Sequence, residues 1–252
     1  MTRFLRSIAM ACALLGLSGA GTAPLHAQSF SDAQRGEIEG IVKTYLIAHP
    51  EVLQEVMNEL DKRQADAEAA KHKDGVKQYS KVLFYSPRQV TLGNPNGDVT
   101  MVEFFDYNCG FCRRALSDML DLMKDDPKLR VVLKEFPVLG TGSVEAAQVA
   151  VAVRMQDKDG KKYLEFHQRL LGSRGQADRA HALAAAKDAG LDMSRIEKDL
   201  ASDEVKATID ENMKVAEALG LNGTPSYVIG SDVVIGAVGL AALKEKVEAA
   251  RQ

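Results

Sequence analysis

The run Met101-Val-Glu-Phe-Phe-Asp-Tyr-Asn-Cys-Gly-Phe-Cys112 constrains the fold more than any other part of the chain. Val99 to Phe105 is rich in apolar and branched residues and reads as a buried strand. It runs directly into a Cys-x-x-Cys that opens a helical pattern lasting to Met123. A strand feeding a helix in this way sets the first sulfur at the helix N-terminus. Unpaired N–H groups and the positive end of the dipole there favour a thiolate, the form that attacks disulfides. Cys112, one turn inside the helix, is expected to be the more buried, resolving thiol.

Only one other cysteine exists, Cys12, and it lies in a leader. Arg3 and Arg6 precede the apolar run Ile8 to Leu17, and small residues continue to Leu25-His26-Ala27. That layout reads as a secretory signal peptide, residues 1–27, cleaved near Ala27, and its apolar run is too short to span a bilayer. The mature protein is therefore expected to be periplasmic and to keep only Cys109 and Cys112. A four-residue disulfide ring constrains the unfolded chain very little, so the pair is there for chemistry rather than stability.

Other uses of a Cys-x-x-Cys fit less well. Zinc requires four ligands, and His49, His72, His167 and His181 are scattered singly. A c-type haem site requires His after the second cysteine, where this chain has Arg113. Copper held by the two thiolates stays open on ligand softness. No metal site and no cofactor is assigned.

Glu103 lies within the apolar strand, six residues before Cys109. A carboxyl buried there is expected to titrate high and to relay the proton of the resolving thiol; on an edge strand it would simply face solvent. Arg113 and Arg114 add positive charge near the pair and are given no role. Thr224-Pro225 marks a turn where a loop meets a strand, with a cis peptide bond as one option.

Without the leader's two arginines the 32 basic residues fall to 30 against 35 acidic ones, a net charge of −5. No basic tract stands out, which argues against nucleic acid or an anionic membrane surface as partner. Residues 28–80 are read as an N-terminal helical oligomerisation and linker region. Ser31-Asp32-Ala33-Gln34 has the form of a capping box, followed by a stripe at Ile38, Ile41, Val42, Tyr45 and Leu46. Pro50 suits the first turn of a second helix, with a stripe at Val52, Leu53, Val56, Met57 and Leu60. A polar, alanine-rich stretch then runs to Lys77 and would hold the stripes away from the body, so they are expected to meet the same stripes on other copies.

Residues 81–252 are read as the catalytic domain. Two strands, Val90-Thr91-Leu92 and Val99 to Phe105, are joined by a tight loop at Asn94-Pro95-Asn96-Gly97. The cysteine helix and a strand from Leu129 to Phe136 follow, then a helical insertion at 143–219. Two strands around Gly230-Ser231-Asp232 and a helix from Leu240 to Arg251 close the chain. The order gives an α/β, thioredoxin-like fold with a helical insertion, preceded by a helical stalk.

The segments Val102 to Arg113, Lys134-Glu-Phe-Pro-Val-Leu-Gly140 and Gly223-Thr-Pro-Ser226 resemble the DsbA family, in particular the ScsC-like branch with an N-terminal helical extension. The resemblance implies a redox-active Cys109–Cys112 disulfide, proton transfer through Glu103, and a cis-proline loop at Thr224-Pro225 that faces Cys109 and binds substrate backbone. The dipeptide between the cysteines is Gly-Phe, not the Pro-His of the strongly oxidising founder, so strong oxidase activity does not carry over. The expected activity is disulfide isomerisation or reduction on exported proteins, reset by a membrane redox partner. Net dithiol oxidation, copper sequestration and a holdase role for the helical arms are the competing readings.

Overall fold

The computed structural model describes residues 30–252, and the leader lies outside them. The chain divides into two compact units at Asn58/Glu59. The first contains α1 (Asp32–Ala48) and the opening turns of α2 (Pro50–Tyr85). Ser31 caps α1 reciprocally: its Oγ accepts from Gln34 N–H at 3.3 Å, and Gln34 Oε1 accepts from Ser31 N–H at 2.9 Å. His49 ends the helix and Pro50 takes the first position of the next. Nothing on α1 is buried: Ile38, Ile41, Val42 and Tyr45 are exposed, as are Leu53, Val56 and Met57 on α2.

In the second unit, Gly75, Val76 and Leu83 of α2 are buried. A Cβ at Gly75 would come within 2.9 Å of the Leu219 side chain, and Val76 and Leu83 pack into the same cluster. The contact with the body begins before residue 80, earlier than the polar composition suggests.

The sheet has the order β1-β3-β2-β4-β5, with β1 Val90–Gly93, β2 Val99–Phe105, β3 Leu129–Glu135, β4 Ser226–Ile229 and β5 Asp232–Ile235. The two strands read from sequence as consecutive are not neighbours. β3 lies between them, antiparallel to β1 and parallel to β2. The loop at Asn94 to Gly97 packs on the start of β3, and a Cβ at Gly97 would strike the Lys128 carbonyl. β2 is thus central, with β3 on one side and β4 antiparallel on the other.

One face of the sheet carries α3 (Gly110–Asp125) and α9 (Leu240–Ala249) over Met101, Phe105, Val131 and Leu133. The other face buries Val102, Phe104 and Val132 with Leu83 of α2 and Val215 of α8 (Asp203–Ala218). Between β3 and β4 lie α4 (Thr141–Gln156), α5 (Lys161–Gly172), α6 (Arg179–Asp188), α7 (Met193–Leu200) and α8. This is a thioredoxin-like fold carrying a helical block. Among the described residues no helix is long and apolar enough to cross a membrane.

Candidate active site

Cys109 is the N-cap residue of α3, in extended conformation, with no side-chain capping bond. Its N–H donates to the Asp106 carbonyl at 3.0 Å, and the Cys109 carbonyl accepts from Arg113 N–H at 3.1 Å. These bonds fix the turn from β2 into α3. Both cysteines are free thiols; Cys109 is 7% exposed and Cys112 only 1%. Burial pushes the Cys112 thiol well above the usual range, and the nearby charges of Glu103 and Cys109 push the same way.

Glu103 does not sit on an edge. It occupies the middle of central strand β2, opposite Leu133 and Tyr227, and is 3% exposed. Burial first, then the charge of Asp118 on α3, raise its carboxyl to about 8. The acid and the inner thiol are therefore close enough to feel each other's charge. Tyr227 belongs to the same group: burial, then Glu103 and Cys112, hold its phenol above the ordinary range.

Thr224-Pro225, which sequence spacing alone leaves unplaced, lies at the site. The Thr224–Pro225 peptide is cis, and Cys109 Sγ donates to the Thr224 carbonyl at 3.1 Å. Gly236 N–H donates to the Pro225 carbonyl at 2.8 Å and ties this loop to the end of β5. Cys109, Cys112, Thr224 and Pro225 thus meet where β2 turns into α3, and Glu103, farther back along β2, lies within charge range of Cys112. Arg113 instead donates to the Leu171 carbonyl at 2.8 Å, and Arg114 lies over the exposed Phe111 ring at 4.4 Å.

Two residues of the turn went unassigned in the sequence. Asp106, fully buried, accepts from Asn108 N–H at 2.8 Å and Ser143 Oγ at 2.7 Å on one oxygen. Its other oxygen accepts from Val138 and Leu139 N–H at 2.8 and 2.9 Å. Asn108 Nδ2 donates to Ser143 and to the Ala177 carbonyl, and its Oδ1 accepts from Ala177 N–H at 2.7 Å. Asx residues in a tight turn are the signal that points to such roles. His167 is buried with Tyr107 and Tyr163, and burial lowers it to about 3, so it stays neutral.

The pattern of the DSBA-like thioredoxin domain matches residues 100–248. The chain belongs to the DsbA-like thioredoxin family. Residues 34–67 match the N-terminal domain described for the copper resistance protein ScsC, which places this DsbA-like chain in the ScsC-like branch. A thioredoxin-like oxidoreductase structure from Silicibacter pomeroyi DSS-3 is 44% identical, covers 68% of this chain and 96% of its own, and has a TM-score of 0.64. A linker-deleted ScsC variant from Proteus mirabilis is 26% identical, covers 89% and 98%, and has a TM-score of 0.66.

Among curated DsbA-like relatives, a probable disulfide bond formation protein D of Bacillus cereus is 28% identical over 59% of this chain and 74% of its own. The chain also matches Na(+)/H(+) antiporter NhaA 1 of Salinispora arenicola but spans only 25% of that protein. The DsbA-like chain is accordingly a thiol–disulfide oxidoreductase by family.

Proposed function

We propose that this chain is a periplasmic protein disulfide isomerase or reductase acting through Cys109 and Cys112. The carrying observation is Cys109 at the N-cap of α3, hydrogen-bonded to the Thr224 carbonyl beside Pro225, with Cys112 and Glu103 buried beneath it. The Cys109 thiolate attacks one sulfur of a client disulfide. A Cys109–client bond forms and the other client sulfur leaves as thiolate. In reduction, Cys112 loses its proton and attacks Cys109 Sγ, forming Cys109–Cys112 and releasing the second client thiolate. A dithiol donor must then return two electrons. In isomerisation a client thiolate displaces Cys109 instead, and no net electrons move.

Glu103 titrates near 8, so only its ionised minority at neutral pH is placed to take the Cys112 proton. Expelling that proton into the buried site as an isolated charge is costly, and the acid's raised pKa makes it a better acceptor than an ordinary carboxylate. The loop at Thr224-Pro225 offers backbone to the client chain.

Isomerisation is favoured over net oxidation by the apolar residues exposed on α1 and α2 and by the ScsC-type match over residues 34–67. A second copy covering the stripes would place several sites around one client. The test is refolding of a scrambled disulfide protein by the full chain and by an Ile41→Asp, Val56→Asp variant, with oligomeric state measured alongside. Loss of oligomer and of isomerisation, with dithiol chemistry retained, supports the reading. An unchanged isomerisation rate in a monomer overturns it. Stoichiometric copper binding without any exchange transfers the pair to metal handling.

A further inference from the structure

The reaction leaves one question open: what part of a client, other than its sulfur, the site selects. Every residue of β3 is buried, yet the loop that follows it presents Val138 (43% exposed) and Leu139 (50% exposed) side by side. Their backbone N–H groups both bond to the Asp106 carboxylate. Val138 and Leu139 therefore have no N–H left with which to pair an extended chain, and what they offer outward is their apolar side chains. The same carboxylate holds Asn108 N–H, next to Cys109, so the loop and the redox turn share one anchor. Behind Val138 runs an open groove of about 480 Å³, walled by Phe136, Met213 and Leu221 and rimmed by Asp210 and Lys214. An unbranched thioether in such a wall adapts to side chains of different shape.

We propose that Val138 and Leu139 form a specificity lip that receives an apolar side chain from the client segment flanking the attacked cysteine, and that Asp106 is the positioning residue that holds this lip against the redox turn. The inference rests on the dithiol–disulfide reading of Cys109 and Cys112. Once the client sulfur is bonded to Cys109, its neighbouring residues must lie over the surface around the turn. An apolar neighbour is desolvated on the lip and the groove wall, while a polar one gains nothing there. Selection is therefore expressed in binding rather than in the rate of sulfur transfer.

The experiment compares two synthetic disulfide-linked peptides that differ only in Leu or Ser two residues from the cysteine, with glutathione disulfide as a third substrate. The wild-type protein is expected to show a KM about tenfold lower for the Leu peptide, the effect of burying one such side chain partway, at equal kcat. Val138→Ser with Leu139→Ser is expected to abolish that preference. Turnover of glutathione disulfide and the reduction potential should stay unchanged. Both side chains are exposed, so the fold is not at stake.

Asp106→Asn is expected to lose the preference although Val138 and Leu139 remain. If that variant does not fold, Ser143→Ala, which removes one of the four donors, is read in its place. Equal KM for the two peptides in the wild type overturns the lip, and a preference that survives the Asp106 and Ser143 substitutions overturns the role of Asp106. Absence of exchange with all three substrates overturns the redox reading itself, and the lip with it.

Discussion

Replacing Glu103 by Gln separates the acid's charge from its shape. The buried carboxyl titrates near 8 and its ordinary value is 4.5. In the unfolded chain it therefore ionises first, while the folded protein still holds the proton. Below 4.5 both states are protonated and the group is neutral to stability. Above that, the unfolded state is progressively favoured, and stability falls with rising pH until the folded acid also ionises. At pH 7, about 2.5 pH units above 4.5, the loss amounts to about 3 kcal/mol at about 1.4 kcal/mol per unit.

Gln mimics the protonated acid without titrating, but its amide brings new donors into the interior at a penalty of about 1 kcal/mol. The variant should thus be more stable than wild type by about 2 kcal/mol at pH 7, and less stable by about 1 kcal/mol at pH 4.5. Urea unfolding of the reduced proteins at both pH values measures this. The crossing of the two stability curves is the signature. A difference of the same sign and size at both pH values would refute the buried, protonated acid. In the same variant, resolution of mixed disulfides by Cys112 should slow about 100-fold, the typical contribution of one placed proton acceptor.

Lys134 gives the opposite pH trend. It is fully buried on the α8 side of the sheet, its Nζ has no hydrogen-bond partner, and burial lowers it to about 8 from 10.5. The folded protein releases this proton before the unfolded chain does, so stability should rise between pH 8 and pH 10.5. Lys134→Met should stabilise by about 2 kcal/mol at pH 7 and lose that advantage near pH 10.5, as read from thermal unfolding across the range. Cys112→Ser should leave Cys109 able to attack but unable to release clients by closing the Cys109–Cys112 disulfide. Mixed disulfides with Cys109 should then accumulate on non-reducing gels and vanish when Cys109→Ala is added; their absence would argue against Cys109 as the attacking thiol.

The local signals in the chain translated directly into structure. Ser31 and Gln34 formed the capping box, Pro50 opened α2, and Cys109 capped α3. These features depend on residues within a turn of one another. What sequence order could not convey was which strands meet. Val90–Gly93 and Val99–Phe105 have a turn between them, yet their pairing is decided by β3, thirty residues on, whose two edges both need partners. Glu103 was ambiguous for the same reason, because a strand's position in the sheet is a tertiary fact.

Thr224 reaches Cys109 across 115 residues, a proximity no spacing rule supplies. The role of Asp106 is not legible in the sequence because its partners Val138, Leu139 and Ser143 lie on a loop and helix start with no pattern of their own. Lys134 sits in a run that reads as continuous strand, where a cation is expected to point outward.

The strand order β1-β3-β2-β4-β5 also settles which parts of the sheet open first. β1 and β5 are its borders, each four residues long, and β5 is only partly covered. Fluctuations that peel a border strand leave β2 paired on both sides. The backbone amides of Met101 to Phe105 should therefore be among the last to exchange with solvent, and a client pulled across Cys109 would strain the strand best able to resist it.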